Sequence, residues 1–280
     1  MAKAKPKQTE VNEMSFLDHL EVLRWTLVRS AVAVFIGSAI AFVMKGFIFN
    51  KIILLPKDPN FYTYRFLCDI SKKFGFEGMC ITDIPFIVQS RTMAGQFSAH
   101  IWTSITVGFI VAFPYIIYEI WKFIKPGLYK KEQKNAKSFI IISSFLFFIG
   151  IIFGYFVITP LSVNFFGGYR VADQVENNID LNSYIALLRA GVLSAGLLFE
   201  IPIIIYFLTK LGLVTPAYLK KYRKFALVFV LILAALITPP DVISQIIVTI
   251  PMMILYEISI YISKMVVKKE KKKSELPKKV

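Results

Sequence analysis

Reactive side chains are scarce in this chain. Its 280 residues include two cysteines and two histidines, His19 and His100, far apart in sequence. No HExxH pair, Walker A lysine loop, GxSxG elbow or cysteine–histidine metal cluster occurs. The reading is therefore a protein that is not an enzyme and needs no metal or other cofactor. Charge is scarce too: 18% of residues are charged, against roughly a quarter in soluble proteins. Acids are fewest, with 18 against 33 basic residues and a net charge of +15.

Apolar side chains fill the space instead, at 56% of residues and a mean hydropathy of +0.62. They gather in six runs, roughly 27–43, 101–121, 139–159, 184–208, 225–238 and 246–263. Runs of about 20 residues cross a hydrocarbon core of about 30 Å as helices, which satisfy their own backbone groups. The expected fold is all-α and integral to the membrane. The basic residues fall at the chain ends and between the runs, not along one amphipathic face, which excludes a nucleic-acid-binding surface. Residues 1–24 are polar and basic and the first run is too long for a signal h-region, so no cleavable signal peptide is expected.

Charge placement orients the runs. The N-terminal tail carries Lys3, Lys5, Lys7 and Arg24; the C-terminal tail carries Lys264, Lys268, Lys269 and Lys271 to Lys273. Both ends read as cytoplasmic, which requires an even number of spans. Residues 122–138 hold six lysines and one acid, and 210–224 hold five basic residues and no acid. By contrast, Arg170 is the single basic residue of 160–183. The expectation is six transmembrane helices in a multi-pass membrane protein with both ends inside. Residues 1–14 form a basic tail, 15–266 the six-helix domain with 46–100 as a structured periplasmic loop, and 267–280 a second basic tail. The fifth and sixth helices are expected to be short, joined by TPPDVISQ, and to thin the bilayer around them.

Within 46–100, Phe66, Leu67, Ile70 and Phe74 recur at helical spacing, predicting a short interfacial helix. Cys68 and Cys80 both lie in this outward segment, either as a disulfide or as two free thiols.

Ionisable residues inside apolar runs are the functional pointers of a membrane protein. Glu200, in SAGLLFEIPIII, sits near the middle of the fourth run, with Pro202 two positions on. It reads either as an interhelical hydrogen-bond partner or as part of a binding cavity. Arg29 and Arg189 lie near helix ends, where they snorkel, and Glu119 and Glu257 read as local ion-pair partners. Asp241 follows Pro240 at a natural helix-capping position.

Four stretches carry a resemblance. FLDHLEVLR (Phe16 to Arg24) looks like the FxxHLxELR signature of the TatC family, the polytopic subunit of the twin-arginine protein translocase. FPYIIYEIWKFIKPGLYKKEQ (Phe113 to Gln133) resembles its first-loop motif; LLFEIP (Leu197 to Pro202) and TPPDVISQ (Thr238 to Gln245) resemble the other two. Order and spacing agree from about residue 15 to 265. The family's signature Glu falls at Val22 here, and its second basic residue at Thr26. Glu21 is adjacent, but one residue turns a helix by about 100°.

The resemblance implies a core and receptor subunit that binds twin-arginine signal peptides of folded cargo. It also implies assembly with single-span partners of the TatA/TatB type, multimeric in the receptor complex, and export driven by the protonmotive force. Phe123 and Glu132 fall on the first-loop recognition positions. A carboxylate accepts a guanidinium fork bidentately and an aromatic face stacks on it, while Pro126-Gly127 fix the loop. Arg24 and Tyr129 complete the candidate signal-binding set, with His19, Leu20 and Glu21 behind them on the N-terminal segment. Glu200 resembles the family's intramembrane glutamate in a concave groove, and Thr238, Asp241 and Gln245 fall where the family docks its partners. The alternative is a proton-coupled secondary transporter of a small solute using Glu200; a purely structural scaffold leaves Glu132 and Glu200 unexplained.

Overall fold

The computed structural model describes residues 16–75, 80–81, 84–125 and 136–274. Among these, five segments are long and apolar enough to cross a membrane: Leu20–Val43, Gly95–Ile124, Lys137–Gly168, Leu181–Lys210 and Val242–Lys269. They correspond to α1 (Phe16–Val43), α4 (Gly95–Ile124), α5 (Ala136–Phe153) running into α6 (Thr159–Gly168), α7 (Leu181–Leu198) running into α8 (Ile201–Lys210), and α11 (Val242–Ser274). A further apolar helix, α10 (Arg223–Ile237), has 15 residues, or about 22 Å at ~1.5 Å per residue. That is shorter than a hydrocarbon core of about 30 Å.

The sixth helix is not short, contrary to the expectation from its apolar run. α11 extends over 33 residues, because beyond Ser263 the chain is dominated by Lys, Met, Val and Glu. These residues continue a helix whether or not they are apolar.

Small residues set how closely the helices approach. α1 and α4 run antiparallel, tied by Arg29–Glu119 at one end and by Phe42 stacked on His100 at 3.8 Å at the other. Midway, a Cβ on Gly108 would lie 2.5 Å from the Ser38 backbone nitrogen. In lipid, where no hydrophobic force pulls helices together, such backbone contact is a main source of association. α5 and α7 meet in the same way: a Cβ on Gly150 would lie 2.6 Å from the Ala195 carbonyl oxygen. Phe147, fully buried, stacks on Phe113 at 3.5 Å and joins α4 to this pair.

Between α5 and α6 the rod passes through a π-helical turn over Gly154–Ile158. Pro160, in the first turn of α6, has no N–H to offer the Phe156 carbonyl. The hydroxyl of Thr63 donates to that carbonyl instead.

Thr63 belongs to α3 (Tyr62–Phe74), part of a cap over one end of the bundle. The interfacial-helix expectation for this stretch thus has its helix, ended by Gly75 in the left-handed region at φ 71°. α2 (Lys45–Ile48) leads from α1 into the cap. Three phenols fasten it: Tyr64 donates to the Pro56 and Pro160 carbonyls at 2.9 and 3.0 Å. Tyr155 donates to Ile52 and Tyr184 to Ile53, each at 2.8 Å. Burial holds the Tyr64 phenol above its usual range. Cys68 and Cys80 are joined as a disulfide. A parallel pair, β1 (Ile87–Gln89) with β2 (Asn178–Asp180), ties the cap to the start of α7 in the register Val88 to Ile179.

At the opposite end, α9 (Pro216–Lys221) links α8 to α10. Leu219 packs there with Ile205 and Ile260, and its carbonyl accepts from Tyr256 at 2.9 Å. α8 and α11 share the buried Thr209–Ser263 hydroxyl pair at 2.9 Å.

Two outcomes test this packing. Gly150→Ala should cost about 1–3 kcal/mol of thermal stability in detergent, as overpacking does. Gly168→Ala, with nothing within 4 Å of the new methyl, should stay within about 0.5 kcal/mol. The second outcome concerns acid. The Arg91 amide, then the Asn182 amide, hold the Asp180 carboxyl below its usual range. Its folded pKa is depressed, so its contribution is complete above pH ~4 and lost as pH falls lower. Hydrogen-exchange protection factors at 87–89 and 178–180 should fall there in the parent and not in Asp180→Asn.

Candidate functional site

The end away from the cap collects the basic residues, and α1 and α4 enclose a cavity of about 420 Å³ there. α1 contributes Glu21, Val22, Trp25, Thr26 and Arg29; α4 contributes Glu119 and Lys122. Glu119 is 1% exposed. Lys122 donates to one of its carboxylate oxygens at 2.8 Å. Arg29, on the other helix, reaches the second oxygen at 3.5 Å. Lys122 also lies 4.3 Å from the centre of the Tyr118 ring. A buried carboxylate is tolerated only with such partners. Both cations are near half exposed, so the cluster is dry at its base and wet at its mouth.

Several sequence expectations meet at this cavity and others do not. Arg29, with its side chain half exposed, closes the α1–α4 pair. Glu119 takes Lys122 as its local partner and Arg29 in addition. Val22 and Thr26 both line the wall, so the positions of the family's missing acid and base face this space. Glu21 lines it too, despite the turn of the helix. Arg24 and Leu20 are exposed and not among its walls; Phe123, half-buried in the last turn of α4, is also not among them. Pro126, Gly127, Tyr129 and Glu132 lie outside the described residues, as does the His19 side chain.

Sequence reading alone passed over Trp25 and the Arg29–Glu119 pairing. The i,i+3 spacing of Glu119 and Lys122 was the one local signal, since a contact across 90 residues leaves none.

Next to it, a cavity of about 380 Å³ lies between α4, α5, α8 and α11, with Trp121, Phe139, Pro202, Tyr206 and Lys210 among its walls. Trp121 is buried against Phe139 and Phe207, and its indole N–H has no hydrogen-bond partner among the described residues.

Glu200 stands at the junction of α7 and α8, where Pro202 opens the new helix. It is buried, accepts the Ser143 hydroxyl of α5 at 2.6 Å with one oxygen, and has no partner among the described residues for the other. It is not on the walls of either cavity. The interhelical hydrogen bond considered for it is present.

At the turn from α10 to α11, Thr238 donates to Ala234 at 2.8 Å, Asp241 accepts the Ser244 amide at 2.9 Å as a helix cap, and Gln245 donates to the Leu231 carbonyl at 3.2 Å. Glu257 pairs with Arg223 at 2.6 Å. Arg189 lies 5.1 Å from the Trp102 ring centre.

The family model "Sec-independent protein translocase protein (TatC)" matches residues 18–251. The Sec-independent protein translocase protein TatC of Blattabacterium sp. subsp. Periplaneta americana is 43% identical over 265 residues, covering 94% of this chain and 100% of that protein. TatCy of Bacillus subtilis is 36% identical, covering 95% and 94%. A crystal structure of the twin arginine translocase receptor TatC in DDM superposes with a TM-score of 0.67 at 32% identity, over 88% of this chain and 99% of that one.

Removing the Ser143 hydroxyl isolates the buried Glu200 carboxyl. Ser143→Ala should cost about 1–3 kcal/mol, the usual cost of orphaning a buried polar group. In a thermal-unfolding double-mutant cycle the cost should vanish when Glu200 is already Leu. Equal costs in both backgrounds would show that the bond is energetically idle.

Proposed function

This chain belongs to the TatC family of Sec-independent protein translocase proteins, and we propose that it is the core and signal-peptide-receptor subunit of a twin-arginine translocase. The family is one of translocase components, not enzymes. In this reading the chain binds signal peptides bearing two consecutive arginines ahead of folded cargo. It then assembles with single-span subunits of the TatA/TatB type, and the protonmotive force drives export. It crosses the bacterial inner membrane six times with both ends in the cytoplasm, α10 being the short span.

The observation that carries the receptor reading is the acid-bearing cavity at the basic end, with Phe123 leading from α4 into the connector that holds Glu132. In this reading a peptide with two guanidinium groups meets Glu21 on the cavity wall, and Glu132 is the second carboxylate expected from the sequence pattern. An arginine fork suits a carboxylate better than the point charge of lysine does. Glu119 is already paired with Arg29 and Lys122 and holds α1 against α4.

Partner docking at the α10–α11 turn is supported by what its polar residues keep in reserve. The side chains of Thr238, Asp241 and Gln245 each make one hydrogen bond among the described residues, yet each retains acceptor capacity. An interhelical hydrogen bond to a partner helix there is worth about 0.6–2 kcal/mol. For Glu200, the oxygen without a partner among the described residues supports a groove that admits polar groups.

The test is binding of a labelled twin-arginine signal peptide to the full chain in nanodiscs. Glu132→Ala should weaken it by about tenfold or more, the ~1.5–3 kcal/mol of a hydrogen bond to a charged group. Membrane insertion should be unchanged. An unaltered Kd would remove Glu132 from the site.

A further inference from the structure

One surface lies away from the cavity between α1 and α4: the outer face of α3 in the cap. Tyr62 and Phe66, one helical turn apart, are 71% and 64% exposed. Arg65, Lys72 and Lys73 are exposed as well, and no ion pair or hydrogen bond of their side chains is present among the described residues. At about 100° per residue, these five side chains and Asp69 fall within about 120° of arc. The opposite face holds Tyr64 and Ser71, both buried.

The height of this face is fixed. Phe61 stacks on Phe156 at 5.6 Å, Thr63 donates to the Phe156 carbonyl, and Tyr64 donates to that of Pro160. The third span begins at Lys137, and at ~1.5 Å per residue Phe156 stands about 28 Å above it. That is the thickness of a hydrocarbon core. With Lys137 taken as one boundary of that core, the exposed end of α3 falls at the other, where acyl chains meet headgroups. The Cys68–Cys80 bond and the buried tyrosines hold it there. At that level an exposed aromatic pair beside basic side chains matches an interfacial helix. It also explains basic residues that the orienting role of loop charge does not require at the capped end.

We propose that α3 is an interfacial anchor, seating Tyr62 and Phe66 at the headgroup–acyl boundary of the leaflet at the capped end and holding anionic phospholipid headgroups with Arg65, Lys72 and Lys73. The lipid clamps the rim of the cap to the membrane, independently of what binds at the other end.

The full chain carries a photoreactive benzoylphenylalanine in place of Phe66, in nanodiscs mixing phosphatidylglycerol and phosphatidylcholine. Irradiation should yield adducts one phospholipid heavier, with phosphatidylglycerol favoured at least about fivefold, the factor for one basic residue near an anionic surface. Arg65→Gln, Lys72→Gln and Lys73→Gln together should abolish the preference while lipid adducts persist. A covalent dimer as the main product would assign this face to a second copy of the chain. No lipid adduct, or adducts without preference, would overturn the proposal. On the unsubstituted chain, native mass spectrometry should find phosphatidylglycerol retained over phosphatidylcholine; equal retention also overturns it. Signal-peptide binding is a separate readout at the other end of the molecule.

Discussion

A bilayer core offers no hydrogen bonds, so a polar group on a spanning helix of this chain is stabilised by a partner within the protein. Much of the architecture follows from that constraint. Glu119 is tolerated because Arg29 and Lys122 reach it from two helices, and the same contact holds α1 along α4. Glu200 meets Ser143 and so couples the α7–α8 break to α5. Where Pro160 leaves a carbonyl without its helical donor, Thr63 of the cap supplies one. These polar contacts join elements that lipid alone would not press together, and glycine-lined crossings bring their backbones into contact.

The two ends of the molecule consequently differ. The capped end is stiff, with phenols, a disulfide and a short parallel strand pair closing over the helix ends. The basic end is open, with two cavities side by side and charged walls. A receptor for an extended cationic peptide needs the second kind of surface. A rigid far end lets binding energy spent at the open end act on helix positions, rather than dissipate in a loose frame.

How much of this was legible in the sequence depended on the range of the interaction. The long spans, the shortness of α10 and the helix within the 46–100 loop follow from local apolar periodicity, and they appear where that periodicity put them. The length of α11 was misjudged because hydropathy marks where lipid contact ends, not where a helix ends. The cap of Asp241 was readable from Pro240 beside it. The Arg29–Glu119 pair was not, since nothing near either residue names a partner 90 positions away. Nor was the sharing of one cavity by Val22, Thr26 and Glu21, which depends on how α1 leans on α4. Four motifs in register identified the family, because a family pattern encodes such tertiary neighbours indirectly. The residues that would grip an arginine on the connector, Glu132 above all, remain known by sequence pattern.

Photocrosslinking from positions 123 and 132 tests the receptor account most directly. The account predicts that a probe at Phe123 or Glu132 captures a twin-arginine signal peptide, and captures the same peptide with lysines in place of the arginines far less. Equal capture of both peptides, or capture of neither, would contradict it.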